Sequence, residues 1–519
     1  MRKTIMTIYE LLAKYRAEAH DQRDKGDKFE RLMRAYLLTE RGYAEKLKHV
    51  WKWEDFFAKR HFGGADVGID LVAETVHGEY WAIQCKFYAR HQHIAKAEVD
   101  TFLATAGRSF PDRDHRDVRF VYCLFISTSS ELSHHTQNAL ATQNPPSGFL
   151  SLGQIAQASV NWAKLENEIH GNAARLAKKE LRPHQTTALQ KTIAHFAQPD
   201  TDRGKLIMAC GTGKTFNSLR IAETQTDGQG LVLFLVPSIA LLGQTLREWT
   251  ANSVEEIEAI CICSDAAVNR VSSKKVNESD QVMDNLVTLA MPASTDVEDI
   301  LRQFARARGR KKPGMTVVFS TYQSIGVIAA AQKRMVDMNL GYGEFDLIVC
   351  DEAHRTSGLK MPDLDESAFT RVHDNDFLKA KKRLYMTATP KLYSEESKAK
   401  AKEGDVALWS MDNTEYYGEE IHRIGFGEAV EMGLLTDYKV LILTISDKDV
   451  PPAVLKMIAD NKEEITTDDA SKLIGCINAL SKQMIGADAE LTAEDKMPMK
   501  RAVAFCQSIK DSKRINTVF

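Results

Sequence analysis

Gly211, Thr212, Gly213, Lys214 and Thr215 stand together in LIMACGTGKT, after an apolar run and ahead of NSLRIAE, which reads as a helix. Glycines let backbone amides approach phosphate oxygens, a helix N-terminus faces the anion, a lysine here reaches the outer phosphates, and the threonine hydroxyl can ligate magnesium. Met208 occupies the place of the usual leading glycine, so the match rests on the A-x-G-x-G-K-T form beginning at Ala209. Far downstream, FDLIVCDEAH closes another apolar run with Asp351 and Glu352. A carboxylate at the carboxyl end of a buried strand holds the magnesium directly or through water, and the neighbouring glutamate polarises the attacking water. The two motifs together predict binding of a nucleoside triphosphate with Mg2+.

A second set of residues lies nearer the start. GADVGIDLVAE places Asp70 at a strand start after a glycine-rich turn, and WAIQCKFY places Gln84 and Lys86 on one face of the next strand, because side chains alternate with period two. Asp70 and a backbone carbonyl near Cys85 can bind a divalent ion, with Glu30, on an earlier amphipathic helix, adding a direct or water-mediated contact. Lys86 can orient or help deprotonate a water while the metal stabilises charge developing on a phosphate. Gln84 supplies a neutral oxygen. His91, His93, His134 and His135 are explained by polar loop or helix positions rather than by metal binding.

These residues need α/β units to hold them. The chain has 519 residues with ordinary globular composition, 44% hydrophobic and 27% charged, which leaves room for about three domains. Residues 1–165 read as helices around the strands IDLVAE, YWAIQCKFY and FVYCLFIST; charged residues 166–180 read as a linking helix. Residues 181–415 alternate helical patterns with the runs KLIMAC, LVLFLVP, MTVVFST, FDLIVC and KRLYMTATP, the pattern of a parallel doubly wound sheet. Residues 416–519 begin a further unit, with YKVLILTI and RAVAFC as its strands, and the stop at Phe519 is early for such a domain.

The formal charge of −3 gives no global pull toward nucleic acid. Five basic residues among Arg306–Lys312 fit a phosphate contact or a solvated loop equally well. Eight scattered cysteines without a C-x-x-C pair predict reduced thiols in the cytoplasm. The strongest apolar run, LVLFLVPSIALLG, contains Pro237 and falls short of the roughly 20 residues that cross a bilayer.

The second unit resembles superfamily 2 helicases and translocases. LRPHQ offers Gln185 as the adenine-reading residue, VPSIALLGQT and FSTYQS look like nucleic-acid-contact motifs, and MTATP, with Thr387 and Thr389, looks like the motif that couples hydrolysis to motion. FGEAVEMGLLTDYKVLI resembles the passage between two motor lobes, and AFCQSI the opening of the second. The first unit resembles the Mrr-like branch of the PD-(D/E)xK nucleases, which tolerates glutamine in the E-x-K position; KFERLM, GIDL, QCKFY and FISTSSELSHHTQNAL carry the likeness.

The implied fold class is α/β, a PD-(D/E)xK nuclease domain followed by a RecA-like motor lobe and part of a second. That order resembles type I and especially single-chain type ISP restriction enzymes. The resemblance implies a type I-like, site-specific deoxyribonuclease with an ATPase motor that moves on double-stranded DNA. Methyltransferase and target-recognition domains would then follow in a longer chain, and S-adenosylmethionine would belong to that missing region. Two other readings stay open on sequence: a repair or antiphage helicase-nuclease, and an ATP-regulated DNA-binding assembly module.

Overall fold

In a computed structural model, the chain is described for residues 6–438 apart from 64–66, 90–91, 93, 130–131, 264–285, 310–312, 340, 360–367 and 404–407, and for 475–481, 497–503, 505–506 and 512. Strand β3 (Tyr80–Lys86) organises the first domain. Its odd-numbered Trp81, Ile83 and Cys85 pack with Phe29, Leu32 and Met33 of the helix Gln22–Leu37. Tyr80 and Ala82 face the opposite way, toward Val99 and Phe102 of the helix Ala97–Ala106. Around β3 stand β1 (Leu47–Lys52), β2 (Leu71–Thr75), β4 (Ser109–Pro111), β5 (Asp117–Ser127) and β6 (Ser147–Ser151), in the order β1-β2-β3-β5-β4 with β6 also on β5. β2 and β3 form an antiparallel pair, whereas β3, β5 and β6 run parallel.

The second sheet comprises β7 (Arg203–Met208), β8 (Leu231–Val236), β9 (Glu258–Ile262), β10 (Thr316–Thr321), β11 (Leu347–Cys350), β13 (Arg383–Thr387) and β15 (Glu419–Ile424). A separate minimal pair is made by β12 (Gly358–Leu359) and β14 (Leu408–Trp409). The order is β15-β7-β13-β11-β8-β10-β9 and every pairing is parallel. All five expected strands are there. β9 and β15 were not foreseen.

β15 corrects the expected boundary at 415, because it lies along the β7 edge and the compact unit runs on to Leu435. Of its residues only Ile424 is buried, as an edge strand requires, so no apolar run marks it. The expected helix over 166–180 is also absent. The helix Trp162–Glu166 stops where Glu168 takes a left-handed backbone (φ 58°), and after the 3-10 turn Gly171–Ala174 the chain runs as a strap. Arg175 bridges to Val160, Leu176 N–H donates to Ser159 O (3.0 Å) and Lys179 N–H to Asn252 Oδ1 (2.9 Å), so backbone partners replace the helical ones. YKVLILTI lies outside the described residues from 439 onward, as does most of AFCQSI; RAVAFC is irregular where it is described, not a strand. Among the described residues no helix is long and apolar enough to cross a membrane.

The first domain and the second sheet share one unit and one continuous core. Tyr43 Oη donates to Ala290 O (2.9 Å), Lys46 Nζ to Ala259 O (2.9 Å), Gln154 Nε2 to Thr288 O (2.6 Å) and Arg41 to Ser253 O (3.0 Å). At this seam Gly148 is packed so closely that an added Cβ would sit 2.1 Å from Tyr122 Oη and 2.9 Å from Ala290 Cα. The Tyr122 hydroxyl is itself buried without a hydrogen-bond partner among the described residues. Gly148→Ala is therefore expected to destabilise by about 1–3 kcal/mol through overpacking. Adding Tyr122→Phe, which removes the clashing oxygen, should restore part of the loss; thermal melts of the single and double variants check this.

Candidate functional site

β7, β13 and β11 are neighbours, so the loops leaving their carboxyl ends meet at one edge of the sheet, where ligands of open α/β sheets bind. The loop after β7 enters the helix Lys214–Gln225 through Gly211 (φ 85°) and Gly213 (φ 87°), left-handed positions that favour glycine. A Cβ on Gly213 would also come within 2.2 Å of Gln185 Nε2. Thr212 Oγ1 donates to Ala209 O (2.7 Å), and the buried Lys214 donates to Met208 O (3.2 Å), folding its ammonium back over the loop. Thr215 is the second residue of the helix, and its carbonyl accepts from Trp249 Nε1 (3.0 Å).

Gln185, expected to read adenine, has both ends of its amide engaged within the chain. Its Oε1 accepts from Arg182 N–H (2.9 Å), capping the helix Pro183–Phe196, and its Nε2 donates to Thr212 O (3.2 Å). His184 Nε2 reaches the same carbonyl at 2.9 Å. Here the glutamine braces the phosphate loop.

Asp351 follows β11 and is buried, its carboxyl pushed up to about 6 by desolvation and by the charge of Glu352, with Lys214 drawing it back. Tyr322 Oη donates to Asp351 O (2.9 Å), fixing the turn from the side of β10. Glu352 takes a left-handed backbone (φ 47°), and its N–H donates to Asp351 Oδ1 (2.9 Å). His354 Nδ1 lies 3.0 Å from Thr387 Oγ1 and 3.5 Å from Glu352 Oε2. Burial holds the His354 pKa below its ordinary value against the pull of Glu352. Thr387 Oγ1 in turn accepts from Thr389 N–H (3.2 Å), so the last motif is joined to the acidic turn through one hydroxyl. Trp249, Tyr322 and Leu435, which lies against Gly211, escape sequence reasoning as site residues; Tyr322 falls in the quoted motif FSTYQS and Leu435 in FGEAVEMGLLTDYKVLI, whereas Trp249 falls in none.

In the first domain Asp70 precedes β2. Its N–H donates to Ile83 O (3.0 Å) and its Oδ2 accepts from Cys85 N–H (2.7 Å), which seats the carboxylate against β3. Gln84 and Lys86 share a strand face by alternation. Gln84 is 2% exposed, and its Oε1 has no hydrogen-bond partner among the described residues. Glu30, half-buried on the helix Gln22–Leu37, has its pKa pushed up to about 7 by desolvation and by the charge of Asp70, with Lys52 and Lys86 opposing.

Two mutually repelling carboxylates, an unsatisfied buried amide oxygen and the Cys85 carbonyl are oxygen donors of the kind a hard divalent cation takes. Among the described residues no three His, Cys, Asp or Glu side chains cluster as a metal site, so neutral oxygens have to complete the set. The fit rests on that donor chemistry.

The fold joins a restriction-endonuclease-like domain to a helicase-like domain. Residues 38–172 match the family described as restriction endonuclease, and 178–392 the one described as type III restriction enzyme, res subunit. Over 99% of its length the chain is similar to the ATP-dependent type ISP restriction-modification enzyme LlaBIII, solved bound to DNA, at 32% identity and a TM-score of 0.76, covering 31% of that chain. It is 27% identical over 329 residues to the probable helicase A859L of African swine fever virus (strain Badajoz 1971 Vero-adapted), covering 63% of this chain and 30% of the viral protein. To the type I restriction enzyme EcoAI endonuclease subunit of Escherichia coli it is 23% identical over 269 residues, covering 51% of this chain and 24% of the subunit. The chain thus spans less than a third of the length of each of these relatives.

Two outcomes are expected. Gln84→Glu, which keeps an acceptor oxygen, should retain divalent-ion affinity, whereas Gln84→Met should lower it by about tenfold. Calorimetric titration with Mg2+ and Mn2+ reads the difference, and equal affinities would remove Gln84 from the donor set. Gly213→Ala, strained and in collision with Gln185, should weaken ATP binding by about tenfold or more, measured with a fluorescent ATP analogue.

Proposed function

We propose that the chain is the nuclease and motor portion of an ATP-dependent restriction endonuclease, which moves on double-stranded DNA and cuts its phosphodiester bonds with a divalent metal. One observation carries the reading: an oxygen-donor nuclease site and a phosphate loop with its acidic turn occur in one compact unit, in the order matched along LlaBIII. In this reading the amides of Gly211–Thr215 and the Lys214 ammonium hold the ATP phosphates, and Thr215 and Asp351 hold Mg2+. Glu352 orients and polarises the water that attacks the terminal phosphate. His354 passes the change in charge at Glu352 to Thr387 through their contact.

At the nuclease site Asp70, the Cys85 carbonyl, Gln84 and Glu30 hold the cation, which supplies charge stabilisation at the scissile phosphate when bound. Lys86 orients the attacking water and helps remove its proton. S-adenosylmethionine, methylation and target recognition belong in this reading to further domains of a longer protein, and the protein acts in the cytoplasm.

Plasmid cleavage by the intact protein with Mg2+, with and without ATP, tests the proposal. Asp70→Ala should abolish cleavage and leave ATP hydrolysis, whereas Lys214→Ala should abolish both hydrolysis and ATP-dependent cleavage. Cleavage surviving Asp70→Ala would refute the nuclease site. Release of an annealed strand in a displacement assay would replace the duplex translocase with a strand-separating helicase.

A further inference from the structure

Behind the acidic turn, the motor domain buries a polar chain that the chemistry above leaves unused. His373 closes the 3-10 turn Thr370–His373 and is 7% exposed, walled by the rings of Tyr385, Trp409, Tyr416 and Tyr417. Its Nε2 lies 3.2 Å from Thr356 O, and a carbonyl can only accept, so Nε2 carries a proton. Its Nδ1 lies 3.0 Å from Tyr385 Oη. Burial, aided by the charges of Arg203 and Arg383, brings the imidazole pKa down to about 4 against the bonds to Thr356 and Tyr416, so the ring holds a single proton at neutral pH. Nδ1 is then the acceptor and the Tyr385 hydroxyl the donor.

Each end of this relay meets a part of the ATP machinery. Thr356 ends the turn Ala353–Thr356 that follows Asp351 and Glu352; its hydroxyl donates to Ala353 O (2.7 Å) and meets Tyr417 Oη at 3.1 Å. Tyr385 stands on β13 two residues before Thr387, the residue that meets His354. The acidic turn is thus tied to β13 twice, in front through His354 and Thr387, behind through His373. A residue needed only for volume could be phenylalanine; the two directed bonds are what histidine adds.

We propose that His373 is a positioning residue for ATP hydrolysis, its ring fixing the acidic turn against β13 so that Glu352 faces the terminal phosphate and displacement of the turn reaches Thr387. The proposal rests on the reading of Lys214, Asp351 and Glu352 as an ATPase centre.

The test measures kcat and KM for ATP in the intact protein, with and without duplex DNA, together with melting temperature. His373→Phe keeps the volume and strands both partners, and should lower DNA-stimulated kcat by about tenfold with KM for ATP within about twofold of the parent. His373→Gln, which restores a donor to Thr356 O, should recover a large part of the rate. Tyr385→Phe added to His373→Phe should cost little more, since both changes break one chain.

A parental kcat in folded His373→Phe, a change confined to KM, or additive losses in the double variant would overturn the proposal. If His373→Phe does not fold, Tyr385→Phe alone decides: a lowered kcat at unchanged KM supports the relay, and an unchanged kcat overturns it. Absence of ATP hydrolysis in the parent, or its persistence in Lys214→Ala, would bring down the ATPase reading and this proposal with it. A parent that hydrolyses ATP beside indifferent His373 variants overturns the relay alone.

Discussion

Parallel hydrogen bonding of β7, β13 and β11 is the constraint from which the motor's chemistry follows. Side-by-side parallel strands send all their following loops to one edge, so the phosphate loop, the acidic turn and the Thr387–Thr389 turn are brought together by backbone pairing before any side chain acts. The consequences of that crowding are electrostatic. Asp351 is pushed up by burial and by the charge of Glu352, and is drawn back by the Glu352 N–H and by Lys214, the one cation among these influences. A site that confines two acids beside one lysine is arranged for more positive charge than it contains.

The nuclease site obeys the same logic with different means. Antiparallel pairing of β2 with β3 sets Asp70 against Cys85, and the alternation of β3 sends Gln84 and Lys86 to the face opposite Ile83 and Cys85. Glu30 arrives from a helix that buries Phe29, Leu32, Met33 and Tyr36 in the core. Its pKa is raised by burial and by the charge of Asp70, and the Gln84 oxygen is likewise a buried acceptor without a donor among the described residues.

What was legible in the sequence were elements with a strong local signal. LVLFLV and FDLIVC announce buried parallel strands by continuous apolar runs, and YWAIQCK announces its faces by alternation. EEIHRI gives no such signal, because an edge strand beside β7 can stay charged. The stretch after Glu166 looked helical by composition, yet its bonds go to Ser159 and Asn252, partners fixed only by the tertiary fold. Gln185 was found by motif, but its bracing of Thr212 depends on the approach of the helix Pro183–Phe196 to the loop. His373 sits in no motif, because its partners come from β13 and the turn after β11.

The seam between the two domains has an asymmetry. Arg41, Tyr43, Lys46 and Gln154 reach across with side chains, and what they grasp on the motor side are the main-chain carbonyls of Ser253, Ala290, Ala259 and Thr288. A main-chain carbonyl is offered by every amino acid. At those four motor positions the bond itself asks for no particular side chain, although Ser253, Ala259 and Ala290 are buried and so restricted in size, whereas each of the four nuclease-side residues must keep its own chemistry. The motor answers with one side chain of its own, Arg306, whose guanidinium pairs with Glu79 at 2.8 Å, so at the four carbonyl contacts the side-chain chemistry lies with the nuclease and at this one it is shared.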